Sequence, residues 1–331
     1  MASPLPGAIR RRWPDARITW LIEPGAAPLV ACHPFVDRVV VWPKARWLAW
    51  LKGFRWLRLG RDVVRFVREL RQERYDLALD LQGLLKSGVL TRLSGARERV
   101  GLGSREGSHL LMTRVVTRGG DNRLIGSEYR HLAQELGLEV GDFRMGVGLS
   151  EADRQAAASV AQGHPRGYLV ACPFTTRPQK HWVESYWAEL ASRLRERYGM
   201  RLVLLGGPDD RAAADRIAAR AGEVVDNRVG ETSLTEAAAV IAGARLLVGV
   251  DTGLTHMGPA FNVPTVALFG STCPYLDTGR ENTTVIYHDL PCAPCKRNPT
   301  CNGRFDCLTG ITVDEVLAEV ERLLPAKEAS R

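Results

Sequence analysis

No stretch of this 331-residue chain approaches the roughly 20 consecutive apolar residues that cross a bilayer as a helix; runs such as Leu202–Leu205 and Leu246–Val250 are far shorter. A transmembrane helix is therefore not expected. The opening residues, MASPLPGAIRRRWP, lack an apolar core followed by a small-residue cleavage site, so they do not read as a secretory signal. The chain is expected to stay in the cytosol, with its seven cysteines reduced. Short-period repeats and low-complexity tracts are also missing. With 45% hydrophobic and 25% charged residues, the composition excludes a disordered or fibrous chain. The length exceeds one ordinary domain and suits two.

Acidic residues are scarce in the first half. Residues 1–150 hold 25 Lys/Arg against 15 Asp/Glu, a net +10, whereas residues 151–331 hold 20 against 22, a net −2. The basic excess is thus local. It suits an anionic partner for the first half, whether nucleic acid, a membrane surface or an acidic small molecule, or else serves solubility.

What is present is an alternation of apolar β-rich runs with helical periods. Strand candidates in the first half are Arg17–Ile22, Arg38–Val41, Asp76–Leu81 and Arg99–Leu102. In the second they are Tyr168–Cys172, Arg201–Leu205, Glu223–Asp226, Arg245–Val250 and Thr265–Phe269. Helical patterns lie between them, at Val63–Arg74, Ser127–Leu136, Glu184–Tyr198, Asp209–Ala221, Ser233–Ala242 and Val313–Leu324. This alternation predicts α/β domains with parallel sheets covered on both faces. The glycine-rich segment GLEVGDFRMGVGLS, residues 137–150, has no clear period, and Ser150 with Asp153 reads as a capping box opening a helix at Glu151. The boundary is placed there, giving domains 1–150 and 151–331. The tail Lys327–Arg331 is expected to fray. Residues 2–12 read as a helix with no strand before it, although a doubly wound domain normally opens with a strand.

The most informative segment is VGVDTGLTHMGPAFNVPTVALFGST, residues 248–272. An apolar strand ends at Asp251, Thr252 and Gly253 form a turn, and a helix is expected from about Leu254. Free backbone N–H groups at the carboxyl edge of a parallel sheet suit a phosphate, and Gly253 would let a ligand approach the backbone. His256, on the first turn of that helix, could reach the same group, or be a partly exposed histidine on a capped helix. Two further strand ends add to this one. The first leads into Thr175, Thr176 and Lys180, two hydroxyls and an ammonium, or a polar loop that solvates itself. The second is followed by Asp209, which could accept from a sugar or base hydroxyl or cap the next helix; Thr232 is ambiguous in the same way. Several polar strand ends on one half-sheet favour a nucleotide-type ligand.

These residues resemble a known family. VDTGLTHMGPAFNVPTVALFG, the loop TTRPQKHW, and DLQGLLKSGVLTRLSGARERVGL at residues 80–102 are together similar to glycosyltransferase family 9, within it to the lipopolysaccharide heptosyltransferases. The resemblance covers nearly the whole chain. It implies the GT-B fold, two Rossmann-like domains facing a cleft, with acceptor on the first and ADP-heptose on the second. It implies an inverting, metal-independent transfer of heptose from ADP-L-glycero-D-manno-heptose to the Kdo or heptose of the inner core. It also implies that Thr175, Thr176, Lys180, Thr252, Gly253, Leu254 and His256 surround the donor phosphates, that Asp251 organises the turn, and that Asp209 and Thr232 lie near ribose or adenine. Lys86, Arg92, Arg105 and Arg130 are the candidates for gripping acceptor carboxylates or phosphates, against the alternative of plain surface charges. No cofactor is implied beyond the donor substrate.

Family members open with a strand and a turn whose Asp is the expected catalytic base. MASPLPGAI resembles the continuation of that turn, so the first strand and its Asp would lie upstream of Met1. Inversion needs a base to take the acceptor proton. If Asp80 or Glu106 does not serve, the chain as written would bind donor and transfer slowly. The alternatives are a GT-B transferase using another nucleotide sugar, or a donor-binding protein without turnover. A nucleic-acid binder would fit the charge but shows no reading motif.

Two features remain. Residues 44–74 carry ten Lys/Arg against three acids, interleaved with Trp47, Trp50, Phe54 and Trp56. This suits a membrane interface, here peripheral contact with the cytoplasmic face of the inner membrane, or else a helix with a solvated basic face and core tryptophans. Cys292, Cys295, Cys301 and Cys307 are close enough in sequence for a structural zinc site, or for reduced thiols packing a loop.

Overall fold

The computed structural model describes residues 1–325; the tail Lys327–Arg331 lies outside the described residues. The chain divides into two compact units, Met1–Asn122 with Gly126–Arg144, and Arg123–Ile125 with the chain from Met145 on.

In the first unit α1 (Pro4–Arg12), β1 (Thr19–Ile22), α2 (Ala27–Ala31), β2 (Arg38–Val41), α3 (Lys44–Lys52), α4 (Trp56–Leu70), β3 (Leu77–Asp80), α5 (Leu85–Leu93), β4 (Glu98–Leu102), β5 (Arg114–Val116) and α6 (Ser127–Glu135) follow in order. All strand pairing is parallel, and it forms two sheets, β1-β2 and β3-β4-β5. Helix α4 buries Asp62, Phe66 and Leu70, one face at helical spacing. Phe66 and Leu70 pack with Val40 and Leu90, and Trp47 of α3 closes over them. Asp62 ties the two helices together, accepting from Arg46 Nη2 at 2.7 Å and Trp47 Nε1 at 2.9 Å. A buried carboxylate is tolerable there because it is ion-paired and hydrogen-bonded.

The second unit runs α7 (Glu151–Gln162), β6 (Tyr168–Cys172), α8 (Glu184–Tyr198), β7 (Arg201–Leu204), α9 (Arg211–Ala221), β8 (Val225–Asn227), α10 (Leu234–Ala242), β9 (Leu247–Val250), α11 (Met257–Ala260), β10 (Thr265–Phe269), β11 (Thr283–Tyr287), α12 (Asp306–Thr309) and α13 (Val313–Leu323). Its sheet is parallel throughout, in the order β11-β10-β9-β6-β7-β8. Every residue of β6, β9 and β10 is buried, as continuous apolar runs covered on both faces require. Helix α8 contributes Trp187, Leu190, Ala191 and Leu194 to the core from a single face. Ser150 caps α7: its hydroxyl accepts from Asp153 N at 3.1 Å and Asp153 Oδ2 accepts from Ser150 N at 2.9 Å.

The strand and helix candidates all have counterparts, with ends shifted by a few residues, except that the helix read from Val63 begins seven residues earlier, at Trp56. Helices α2, α5 and α12, the short edge strand β5 and edge strand β11 were not among them, and α3 falls in the stretch 44–74 read alternatively as a helix. One expectation needs correction. The helix expected from Leu254 is a single turn, Met257–Ala260, and His256 lies just before it. Gly258 is a poor helix former, Pro259 donates no hydrogen bond, and Asn262 turns the chain at φ +59°.

Candidate functional site

Strand order reverses between β6 and β9: the chain builds outward from β6 through β7 to β8, then returns to lay β9, β10 and β11 on the other side. In open parallel sheets the crevice at such a switch point, beyond the carboxyl strand ends, is where ligands bind. The loop after β6 and the turn after β9 meet there. Close strand approach is kept by Gly249, where an added Cβ would collide with the Thr255 hydroxyl and sit 3.0 Å from the Cys172 Cβ.

Asp251 is the centre of the site. Lys180 Nζ lies 2.8 Å from its Oδ2, His256 Nε2 lies 3.4 Å from its Oδ1, and the Thr272 hydroxyl donates to Oδ2. Both members of the Lys180–Asp251 pair are largely buried, at 16% and 12% side-chain exposure, so solvent screens the pair little. Burial alone pushes the Asp251 carboxyl up. Hydrogen bonds from His256, Lys180 and Thr272, with the Lys180 charge, outweigh burial and hold it well below the ordinary carboxylate range. His256 Nδ1 is 2.8 Å from the hydroxyl of Tyr275. In a neutral ring one tautomer serves both neighbours: Tyr275 donates to Nδ1, and the proton on Nε2 faces Asp251. Burial and the Asp251 charge push the Tyr275 phenol up, keeping it a donor. Tyr275 is itself fixed edge-on against Phe269, with ring centroids 5.1 Å apart.

The loop after β6 supplies the opposite wall. Thr175 Oγ1 donates to the Asp251 carbonyl at 3.4 Å, and a ring nitrogen of His181 lies 2.7 Å from the Thr175 carbonyl. Thr175, Thr176, Arg177, Pro178 and His181 line a cavity of about 400 Å³. Gly253 has an open foreground: a Cβ there would meet nothing within 4 Å, and its φ is not left-handed. Thr252 and Leu254 flank it, half-buried. The turn does not need glycine for its own shape, but it leaves space for a ligand against the backbone. With α11 only four residues long, the positive field at this turn comes from local N–H groups and Lys180, not from a helix dipole.

The arrangement brings together Thr175, Lys180, Asp251 and His256 from two distant segments. Asp209 stands exposed after β7, and its neighbour Asp210 does the capping, accepting from Gly207 N at 2.9 Å. Ser233, not Thr232, caps α10, and the buried Thr232 hydroxyl has no partner among the described residues. In the first unit Lys86 and Arg92 on α5, Arg105 after β4 and Arg130 on α6 are all exposed. Of the two alternative bases Asp80 is buried, whereas Glu106 is exposed. The buried Asp80 carboxylate accepts from Gln82 N, Gly83 N and Ser87 Oγ at 3.0, 3.1 and 3.0 Å, and Glu106 Oε2 accepts from Leu85 N at 3.3 Å. Both fasten the start of α5.

Thr272, Tyr275 and Arg118 were not singled out by sequence. Thr272 lies just past the β10 end, so the polar-strand-end criterion applied elsewhere would have found it. Tyr275 carried no local signal. Arg118, after β5, pairs with Glu128 and donates to the Gln82 carbonyl at 2.9 Å.

The cysteines do not support zinc. Among the described residues no group of three or more His, Cys, Asp or Glu side chains is gathered closely enough for a metal ion. Cys307 is buried in the main core against Gly270. Burial, with the neighbouring thiols, pushes it up to about 11, so it stays a neutral packed thiol.

The model of Glycosyltransferase family 9 (heptosyltransferase) matches residues 63–305. The chain is 35% identical to lipopolysaccharide heptosyltransferase 1 of Pseudomonas aeruginosa over 97% of this chain and 93% of the relative. It is similar in structure to E. coli heptosyltransferase WaaC, solved with ADP-2-deoxy-2-fluoro heptose, at TM-score 0.74 and 26% identity, covering 97% of this chain and 94% of that one. The glycosyltransferase family 9 structure from Veillonella parvula shares the fold at TM-score 0.83 and 20% identity, covering 98% and 92%.

Proposed function

The chain belongs to glycosyltransferase family 9, and on that premise we propose that it transfers heptose from ADP-L-glycero-D-manno-heptose to the Kdo or heptose of the lipopolysaccharide inner core. The observation that carries the reading is the Lys180–Asp251–His256 cluster at the β6/β9 switch point, beside the Thr175–Thr176 cavity. The relatives' names and the fluorinated donor analogue bound by WaaC support the donor class.

In this reading the diphosphate lies against the Thr252–Gly253 turn, with the Thr175 and Thr176 hydroxyls and the Lys180 ammonium as donors. Asp209 and Thr232 lie toward ribose and adenine. The acceptor hydroxyl oxygen bonds to the anomeric carbon as the bond from that carbon to the phosphate oxygen breaks. Configuration there inverts, ADP leaves with the electron pair, and the hydroxyl proton passes to a base. Charge grows on the departing phosphate, and a cation already held in place meets it without reorganisation. Lys180 is such a cation, because Asp251 fixes it before donor arrives. The reaction is thus metal-independent in its proposed form. Exposed Lys86, Arg92, Arg105 and Arg130 serve acidic groups of the acceptor, and the enzyme works peripherally at the cytoplasmic face of the inner membrane.

The test pairs calorimetry with a transfer assay. ADP should bind the purified chain, Lys180→Ala should weaken it ~10–100-fold, and mass spectrometry should show a heptose added to a Kdo-containing acceptor. Unchanged ADP affinity in Lys180→Ala would overturn the phosphate role. Equal transfer from a UDP-linked sugar would overturn the donor assignment.

A further inference from the structure

We propose that the junction of α3 and α4, residues 51–58, inserts into an anionic membrane surface. Every residue from Leu51 to Arg58 is exposed. Among them Phe54 is 79% exposed, Leu57 82% and Trp56 56%. Large apolar side chains clustered at water mark an interaction surface. Lys52, Arg55 and Arg58 alternate with them, and the run from Lys44 to Arg61 holds six cations and no acid. Lys44 pairs with Glu23 and Arg46 with Asp62, whereas among the described residues no carboxylate pairs with Lys52, Arg55 or Arg58.

The apolar tip has no route inward. The inner face of the hairpin is already filled by Trp47, Phe66 and Leu70, and the Asp62 bonds to Arg46 and Trp47 lock α3 on α4. Phe54 sits at φ +53°, a region costly for a bulky residue, and its ring meets Trp56 edge-on with centroids 6.4 Å apart.

The chemistry selects the partner. Apolar groups of such a tip reach roughly 5–10 Å into the headgroup–acyl boundary, and flanking cations stay at the level of anionic headgroups. A single-stranded nucleic acid would use the cations and rings but give Leu51 and Leu57 nothing to pack on. Hydrocarbon accepts all four apolar residues.

The inference rests on the proposed function only for its lipid-linked acceptor. Vesicle binding is measured without donor or acceptor, so failed transfer leaves it standing and failed binding leaves transfer standing. The full chain is sedimented with phosphatidylcholine vesicles, and with phosphatidylcholine–phosphatidylglycerol vesicles. It should bind the anionic vesicles more strongly. Phe54→Ser with Leu57→Ser should lower the partition coefficient at least ~10-fold. Neutralising Lys52, Arg55 and Arg58 to Gln should lower it by about fivefold per cation on anionic vesicles only. Circular dichroism and ADP affinity should not change. If the double change unfolds, Leu57→Ser alone repeats the test. Equal binding to both vesicles, or full binding by the folded apolar variant, overturns the proposal.

Discussion

At the β9 end of the second unit an ammonium and an imidazole each meet one carboxylate, largely out of water, with Thr272 bonded to that carboxylate and Tyr275 to the imidazole. In the first unit Lys86 at the start of α5, Arg92 at its end and Arg105 after β4 are exposed, and the nearby Asp80 carboxylate is spent on two backbone N–H groups and the Ser87 hydroxyl. The first arrangement is preorganised: its interactions exist before ligand arrives, so it can stabilise charge that develops during a reaction. The second leaves cations solvated, able to collect an anionic partner but worth little to stability. Buried charge in one unit and exposed charge in the other should therefore respond differently to mutation and to pH.

The largest effect should come from Lys180→Ala. Removing its cationic partner leaves Asp251 with hydrogen bonds from His256 and Thr272 only, at a cost of about 1.5–3 kcal/mol in stability, that of one charged hydrogen bond, and turnover should fall ~10²–10³-fold with the lost leaving-group cation. Denaturant melts and steady-state kinetics check both; a change in turnover with no change in stability would mean that the pair is not formed in the free protein.

Asp251→Asn comes next. The fold should survive by circular dichroism, while ADP affinity falls ~10–100-fold, the loss expected for charged hydrogen bonds. A variant that unfolds would give Asp251 a purely structural role. The same variant exposes a pH signature. Asp251 is held below its unfolded value of ~3.9, so its stabilisation is complete above about pH 4 and is lost as pH falls from there toward the folded value. The stability difference between wild type and Asp251→Asn should stay level from about pH 7 to 5 and shrink below about pH 4. A difference that grows on acidification would break the account.

Arg105→Ala sharpens the contrast from the other side. Acceptor KM should rise about 5–10-fold, one charged contact, with ADP affinity and stability unchanged. Loss of ADP binding would mean that these cations are not reserved for acceptor. Tyr275→Phe should be the mildest change. It keeps the packing on Phe269 but removes the hydroxyl from His256, lowering donor affinity by about 0.5–1.5 kcal/mol. Titration showing no change would mean that His256 is held by Asp251 alone.

The α/β class and most elements were legible because buried parallel strands are unbroken apolar runs, and α8 repeats its core residues at helical spacing. Ser150 and Asp153 announced a helix start because a capping box is local chemistry. Edge strands β5 and β11 were not legible, since one exposed side dilutes their apolar pattern. Helix α3 was legible only as one of two readings of the basic, aromatic stretch 44–74. The short helix after Asp251 was overestimated because Gly258 and Pro259 outweighed the surrounding pattern.

The sequence by itself determined which residues could carry the chemistry: Lys180, Asp251 and His256 at strand ends, and a family motif around them. Their partnership was decided only by the tertiary structure. Lys180 reaches Asp251 because strand order reverses at β6 and β9, bringing two chain-distant loops to one sheet edge. Thr272 and Tyr275 join because β10 lies beside β9. Asp62 is an unremarkable helical acid in sequence and a buried lock in the fold. Local pattern encodes secondary structure because backbone preference acts over a few residues. Charge pairing depends on distance in space and on exclusion of water, and both follow from how strands are ordered in the sheet.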